Sequence, residues 1–170
     1  NVSVNIADDL HPVFGKQSDI YRVLMNLCKN AAEAVENEGS IFINAENLQV
    51  SENNSADRNL PPGNYISLKV KDTGKGIAEE NLKKIFGLGF STKNKKSKSG
   101  LGLKIVEEII LKHDGRITVN SEYKHWTEFT IIIPAAVKHE LQPAASSKKT
   151  ILIAEDEHTL RELLVELLQS

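Results

Sequence analysis

D-T-G-K-G-I (Asp72–Ile77) decides how this chain is read, because it places a carboxylate between an alternating strand and a glycine turn. Ile66, Leu68 and Val70 alternate with polar residues and deliver Asp72 at the end of that strand. Gly74 and Gly76 then permit a tight turn and let a flat base approach the backbone. A carboxylate so placed can accept a hydrogen bond from an exocyclic amine, and can therefore select adenine over guanine. By itself D-x-G is also a common surface turn. Order lifts it above that. N-L-C-K-N-A-A-E-A-V (Asn26–Val35) precedes it on a helix, and S-G-L-G-L (Ser99–Leu103) follows it at the opening of another. Three such motifs in succession, each on a fitting element, describe a nucleotide pocket.

Upstream of the turn, Ile20, Val23, Leu24, Leu27, Cys28, Ala31 and Val35 recur at steps of three and four. The spacing predicts a helix over 18–36, with Ser18 as N-cap, Asp19 in the first turn and Gly39 ending the element. Asn26 and Asn30 stand one turn apart at the edge of the apolar stripe, facing the boundary between core and pocket. A carboxamide oxygen is a hard ligand suited to Mg²⁺, which keeps several waters and binds substrate phosphates. Two solvated asparagines would show the same spacing. Glu33, a further turn along, could hold a metal-bound water or simply be solvated. Val2, Val4 and Ile6 alternate as a strand, and Ile41 and Ile43 mark another. Residues 51–64 are polar and contain Pro61, Pro62 and Gly63, so they read as a loop.

Downstream, a short helix is expected over 79–85. From Gly87 to Gly100 there is neither helical nor strand period, and Lys93, Lys95, Lys96 and Lys98 make the segment a mobile, cationic loop. Gly100 and Gly102 open a helix over 101–113, whose free N–H groups and dipole would bind phosphate. Lys93, directly after F-S-T, is the lysine best placed to add charge there; the other three read as solubilising. Lys112 and His113 fall in the last helical turn, with Gly115 beyond. Ile117 and Val119 start one strand, Phe129, Ile131 and Ile133 line one face of the next, and their separation suits a hairpin closed by Pro134. Residues 138–149 read as a linker. Ile151–Ala154 is an apolar run fit for a buried parallel strand, and Leu160, Leu163, Leu164 and Leu167 continue it as a helix. This is the opening of an α/β unit, cut before it could close. Such a unit is expected to be disordered or to borrow a surface from the preceding domain or from a neighbour.

The 170 residues bound one domain plus a fragment, and 40% hydrophobic content supports a core. A net charge of −2 gives no reason to expect nucleic acid or an acidic membrane as main partner. The single Cys28, on an apolar helix face, excludes an internal disulfide and multi-cysteine metal sites, and reads as core. No apolar run approaches the roughly 18–20 residues of a membrane span, and no signal peptide opens the chain. The start lies inside a strand pattern, as in a piece of something longer.

The constellation resembles the catalytic ATP-binding domain of bacterial sensor histidine kinases, in the superfamily shared with gyrase, MutL and heat-shock chaperones. The likeness covers residues 1–134, with a linker over 135–149. It implies an α/β (α+β) two-layer sandwich: a mixed sheet, helices on one face, and ATP between the helices and a mobile lid. Asn26–Val35 is similar to that family's N box, which implies Asn30 as Mg²⁺ ligand and Asn26 as a supporting pocket residue. Asp72–Ile77 is similar to the first glycine box, with Asp72 on the adenine amine and Gly74, Gly76 and Ile77 lining the base. K-I-F-G-L-G-F-S-T-K (Lys84–Lys93) resembles the F box, where Phe86 and Phe90 anchor the lid and Lys93 assists catalysis. Ser99–Glu122 resembles the second glycine box with its succeeding helix and strand, implying Gly100, Leu101, Gly102 and Leu103 at the phosphates. T-E-F-T-I-I-I-P (Thr127–Pro134) resembles the last strand, with Trp126 where the family often has glycine. Residues 150–170 resemble the start of a receiver domain, in which Glu155 and Asp156 would be the Mg²⁺-binding acids of an incomplete site.

The likeness implies a cytoplasmic, homodimeric parent, a hybrid kinase. It would move the γ-phosphoryl of ATP to a histidine on a dimerisation domain absent here, then to an aspartate of a receiver or response regulator. None of the five histidines stands in an arrangement for phosphotransfer, so the chain alone should bind ATP and turn over little. The other readings are a nucleotide-binding or interaction module without phosphotransfer, and a gyrase- or MutL-like ATPase. The latter usually carries a glutamate base where Asn26 stands.

Overall fold

The computed structural model describes residues 1–35, 39–52, 60–87 and 100–136, with the backbone of 151–152. Most of the cationic loop, including Phe90 and Lys93, lies outside the described residues, as do the linker from residue 137 and the acids Glu155 and Asp156.

Five strands form one sheet: β1 (Val2–Ile6), β3 (Ile41–Val50), β4 (Gly63–Asp72), β5 (Arg116–Glu122) and β6 (Trp126–Pro134), in the order β1-β3-β4-β6-β5. β1 runs parallel to β3, and the other pairs are antiparallel. The short β2 (Val13–Phe14) precedes α1 (Gln17–Ala34). α2 (Glu79–Leu82) and α3 (Gly102–Lys112) lie between β4 and β5 in the chain. The helices cover one face of the mixed sheet, which is the sandwich the sequence implies.

Register fixes the layers, because directly opposed residues of an antiparallel pair project to the same side. Ile43, Val70, Phe129 and Val119 form one row across the sheet, and Ala45, Leu68, Ile131 and Ile117 the next. Val23, Leu27, Cys28 and Ala31 of α1 close over these rows together with Val106, Ile109 and Ile110 of α3. Burial pushes the Cys28 thiol up to about 12, consistent with its place in the core. The far side of the sheet carries Phe42, 44% exposed, and Lys71, whose ammonium lies 4.7 Å from the centre of the Trp126 ring.

Several local expectations are corrected. Lys16, not Ser18, is the N-cap of α1, and no side chain caps the helix. Asp19 in the first turn is drawn to Lys112 at the end of α3, 3.2 Å away. Nor does α1 reach residue 36. It stops at Ala34 because the Ala34 carbonyl accepts from Lys75 N–H at 3.1 Å, and Val35 turns to extended backbone. β3 runs well beyond its apolar alternation to Val50, and β4 begins inside the stretch read as loop, at Gly63, which pairs with Val50. Asn47 breaks that alternation because its amide pins the β1–β2 connection, donating to the Asp9 carbonyl and accepting from His11 N–H. α2 ends at Leu82, and turns then carry the chain to the buried Ile85. Ile151–Leu152 (β7) is not a parallel strand: it pairs antiparallel with Phe14–Val13. Those two residues thus take an edge of the preceding domain.

Candidate nucleotide site

The inner face of the sheet changes character at its last row. Ile41, Asp72, Thr127 and Ser121 stand side by side, continuing the apolar rows with three polar groups. Asp72 is 4% exposed and Thr127 3%. One Asp72 oxygen accepts from Gly74 N–H at 2.9 Å. Burial raises its carboxyl to about 6, with the Gly74 bond working the other way. At neutral pH it is therefore ionised, with acceptor capacity left for a ligand.

The glycine turn is clamped from two sides. Thr73 exchanges bonds with Ser40: its N–H donates to the Ser40 carbonyl at 3.0 Å and its hydroxyl accepts from Ser40 N–H at 2.8 Å. A methyl group at Gly74 would collide with the Ala34 backbone. At Gly76, φ is +61° and a methyl would collide with the Glu122 carbonyl. The β5–β6 hairpin tip holds the turn's far side. Lys124, itself at φ +69°, donates its N–H to the Lys75 carbonyl at 2.8 Å, and Ile77 N–H donates to Ser121 Oγ at 2.8 Å. Tyr123–Trp126 thus forms a closed turn whose His125 N–H returns to the Glu122 carbonyl at 3.0 Å.

α1 connects this turn to the start of α3. Ala34 meets Gly74. Eight residues earlier, Asn26 meets Gly102, where a methyl would come within 2.9 Å of Asn26 Oδ1. Asn30 lies midway on the same stripe, so the three positions span about 12 Å of helix. Asn26 is held by donating its amide to the Arg22 carbonyl at 2.8 Å. Gly100 has φ +61°, Leu101 is the N-cap and is 39% exposed, and no acidic residue occupies the first turn of α3. Those first-turn N–H groups have no side-chain cap, as an anion site requires. Lys104 is committed to Glu107 at 2.9 Å.

Of the residues singled out in the sequence, the structure brings Asp72, Gly74, Gly76 and Ile77 to one end of α1. It brings Asn26, Gly100, Leu101, Gly102 and Leu103 to the other, with Asn30 between. Leu103 and Phe86 pack partly buried against the core. Thr127 and Ser121 were missed. Their signal was parity: both fall in step with the inward residues of their strands yet are polar. Among the described residues no group of three His, Cys, Asp or Glu could hold a metal ion. No described helix is long and apolar enough to cross a membrane.

A buried acceptor beside a glycine turn, joined by an asparagine-bearing helix to an open helix N-terminus, defines a nucleotide-binding domain of the two-layer ATPase type. The model for the histidine kinase-, DNA gyrase B- and HSP90-like ATPase family matches residues 15–137, and the chain belongs to that family. It is 33% identical to the sensor kinase CckA of Brucella abortus, over 95% of this chain and 19% of that protein. With sporulation kinase E of Bacillus subtilis it shares 29% identity over 78% of this chain and 16% of that protein. The chain thus spans about a fifth of the length of these relatives. Among solved structures, the nucleotide-free catalytic domain of histidine kinase ThkA superposes with a TM-score of 0.63 at 28% identity, covering 79% of this chain and 78% of that one. Full-length ShkA in complex with AMPPNP shares the fold, with a TM-score of 0.63 at 22% identity, over 86% of this chain and 26% of that one. In sequence and fold the chain is similar to the catalytic domains of sensor histidine kinases.

Proposed function

We propose that this chain binds Mg-ATP and, within its parent, presents the γ-phosphoryl to a histidine on a dimerisation domain. The observation that carries the reading is the buried Asp72 at the end of the α1 stripe that leads past Asn30 to the uncapped start of α3. Asp72 would take the adenine amine, Gly74, Gly76 and Ile77 the base, and Gly100 to Leu103 the phosphates. Asn30 offers one neutral oxygen, and no acidic cluster stands beside it among the described residues. That donor set fits a Mg²⁺ carried mainly by the nucleotide, which when bound neutralises phosphate charge. Phe90 and Lys93 would complete the lid side. The protein's contribution is then positioning and electrostatics.

The parent would be a homodimeric hybrid kinase that passes the phosphoryl group on to an aspartate. Similarity to CckA over 95% of this chain includes most of the tail and supports a shared segment there, in which Glu155 and Asp156 would open a receiver domain. Adding a purified dimerisation domain in trans tests the reading. Phosphohistidine formed from ATP is the expected result. Tight ATP binding without any phosphohistidine would favour a nucleotide-sensing module instead.

A further inference from the structure

We propose that the outer edge of β2 is a docking site for the apolar strand that begins at Ile151, and that the backbone of Val13 makes the site. β2 has a partner on each side. Val13 bridges Ala135, just beyond the end of β6, and it also lies directly opposite Leu152 of β7. Successive residues of an antiparallel strand turn their N–H and C=O to alternate sides. Pro12 faces β6, because its carbonyl accepts from Ala136 N–H at 2.7 Å. The N–H and C=O of Val13 therefore face the other way, toward β7, and Leu152 is the residue that exchanges both bonds with them. Val13 is 6% exposed and belongs to the core. A buried backbone donor and acceptor require partners, and among the described residues Leu152 stands opposite them on that side.

The accepting edge is fixed from both directions. The core holds Val13, and a methyl at Gly15 would collide with the His113 ring. Gly15 leads into Lys16, the N-cap of α1, so the docked strand lies at the root of the helix that carries Asn26 and Asn30. Reach sets no limit. Residues 137–150 join Ala136 to Ile151, and about 14 residues can extend to roughly 45 Å, whereas two strand spacings are about 10 Å. A tether of that length gives an effective concentration on the order of millimolar, so a strand with few ladder bonds can dock. Docking also restricts the strand. While Val13 engages the N–H and C=O of Leu152, no other strand can pair along that edge. The apolar run Ile151–Ala154, whose composition suits a strand with neighbours on both sides, can therefore serve β2 or a sheet of its own on that edge, not both.

The test is native-state hydrogen exchange of the Val13 amide, read by NMR on the full chain and on two full-chain variants. Leu152→Pro removes the N–H that faces the Val13 carbonyl. It should speed Val13 exchange roughly tenfold or more, the worth of one hydrogen bond, with the Val70 and Phe129 amides of the main sheet unchanged. Leu152→Val, which keeps the backbone donor, should retain the protection. The protection should also be independent of protein concentration. Unchanged Val13 exchange in Leu152→Pro would overturn the proposal. So would equal acceleration at Val70 and Phe129, which would mean loss of the whole fold's stability, and so would a loss in Leu152→Val as large as in Leu152→Pro. Protection that grows with protein concentration would assign the strand to a second copy of the chain and overturn docking within one chain.

Discussion

Asp72 sits where burial penalises its charge, so its proposed role in binding and its effect on stability have opposite signs. Its folded-state pKa is raised from 3.8 to about 6. The folded protein therefore holds that proton more tightly than the unfolded chain does. The stability cost of ionising Asp72 grows as pH rises from 3.8 to about 6 and is constant above. Asp72→Asn keeps an acceptor for Gly74 N–H and removes the buried charge. The unliganded variant should gain about 2 kcal/mol at neutral pH, read by urea denaturation. For the unaltered chain, nucleotide affinity should fall as pH drops below about 6, because the protonated carboxyl loses acceptor capacity. At Gly76 the sign is unambiguous. Alanine there meets both a positive φ and the Glu122 carbonyl, and should cost roughly 2 kcal/mol or more while weakening nucleotide binding by distorting the turn.

The elements show which parts of the structure could be read in advance. Ile131, fully buried on β6, lies in the row with Ala45, Leu68 and Ile117. Ile131→Ala should destabilise by roughly 2–5 kcal/mol with little change in nucleotide affinity at temperatures where the variant stays folded. That strand was legible because its alternation is unbroken from Phe129 to Ile133. α1 was legible by its stripe, but its ends were not. Its start is set by Lys16 and by the Asp19–Lys112 pair, and its finish by Lys75 capturing the Ala34 carbonyl. Lys112 and Lys75 lie far away in sequence, so no local capping rule could find them. β3 was cut short for a related reason: Asn47 serves a loop, and its polarity hides the strand that continues beyond it. Ser121 and Thr127 were invisible as site residues because motif reading stops at the glycine boxes, whereas register places them beside Asp72.

At the scale of the whole molecule, the division of labour follows the sandwich. On the proposed reading the sheet would supply the adenine end through its last polar row and α3 the phosphate end, with α1 fixing the distance between them. The candidate site was largely legible because its residues sit in short motifs whose order mirrors this path, from Asn26 and Asn30 to Asp72 to Gly102. The support behind it was not legible, since it comes from the β5–β6 hairpin tip bonded to Lys75 and Ile77. The measurement that tests the central claim most directly is calorimetric binding of a non-hydrolysable ATP analogue to the full chain and to Asp72→Asn, with and without Mg²⁺. The account predicts micromolar to sub-millimolar affinity that Mg²⁺ strengthens and that Asp72→Asn abolishes, in a variant at least as stable as the parent. Affinity untouched by Asp72→Asn, or no binding by the folded, unaltered chain, would contradict it.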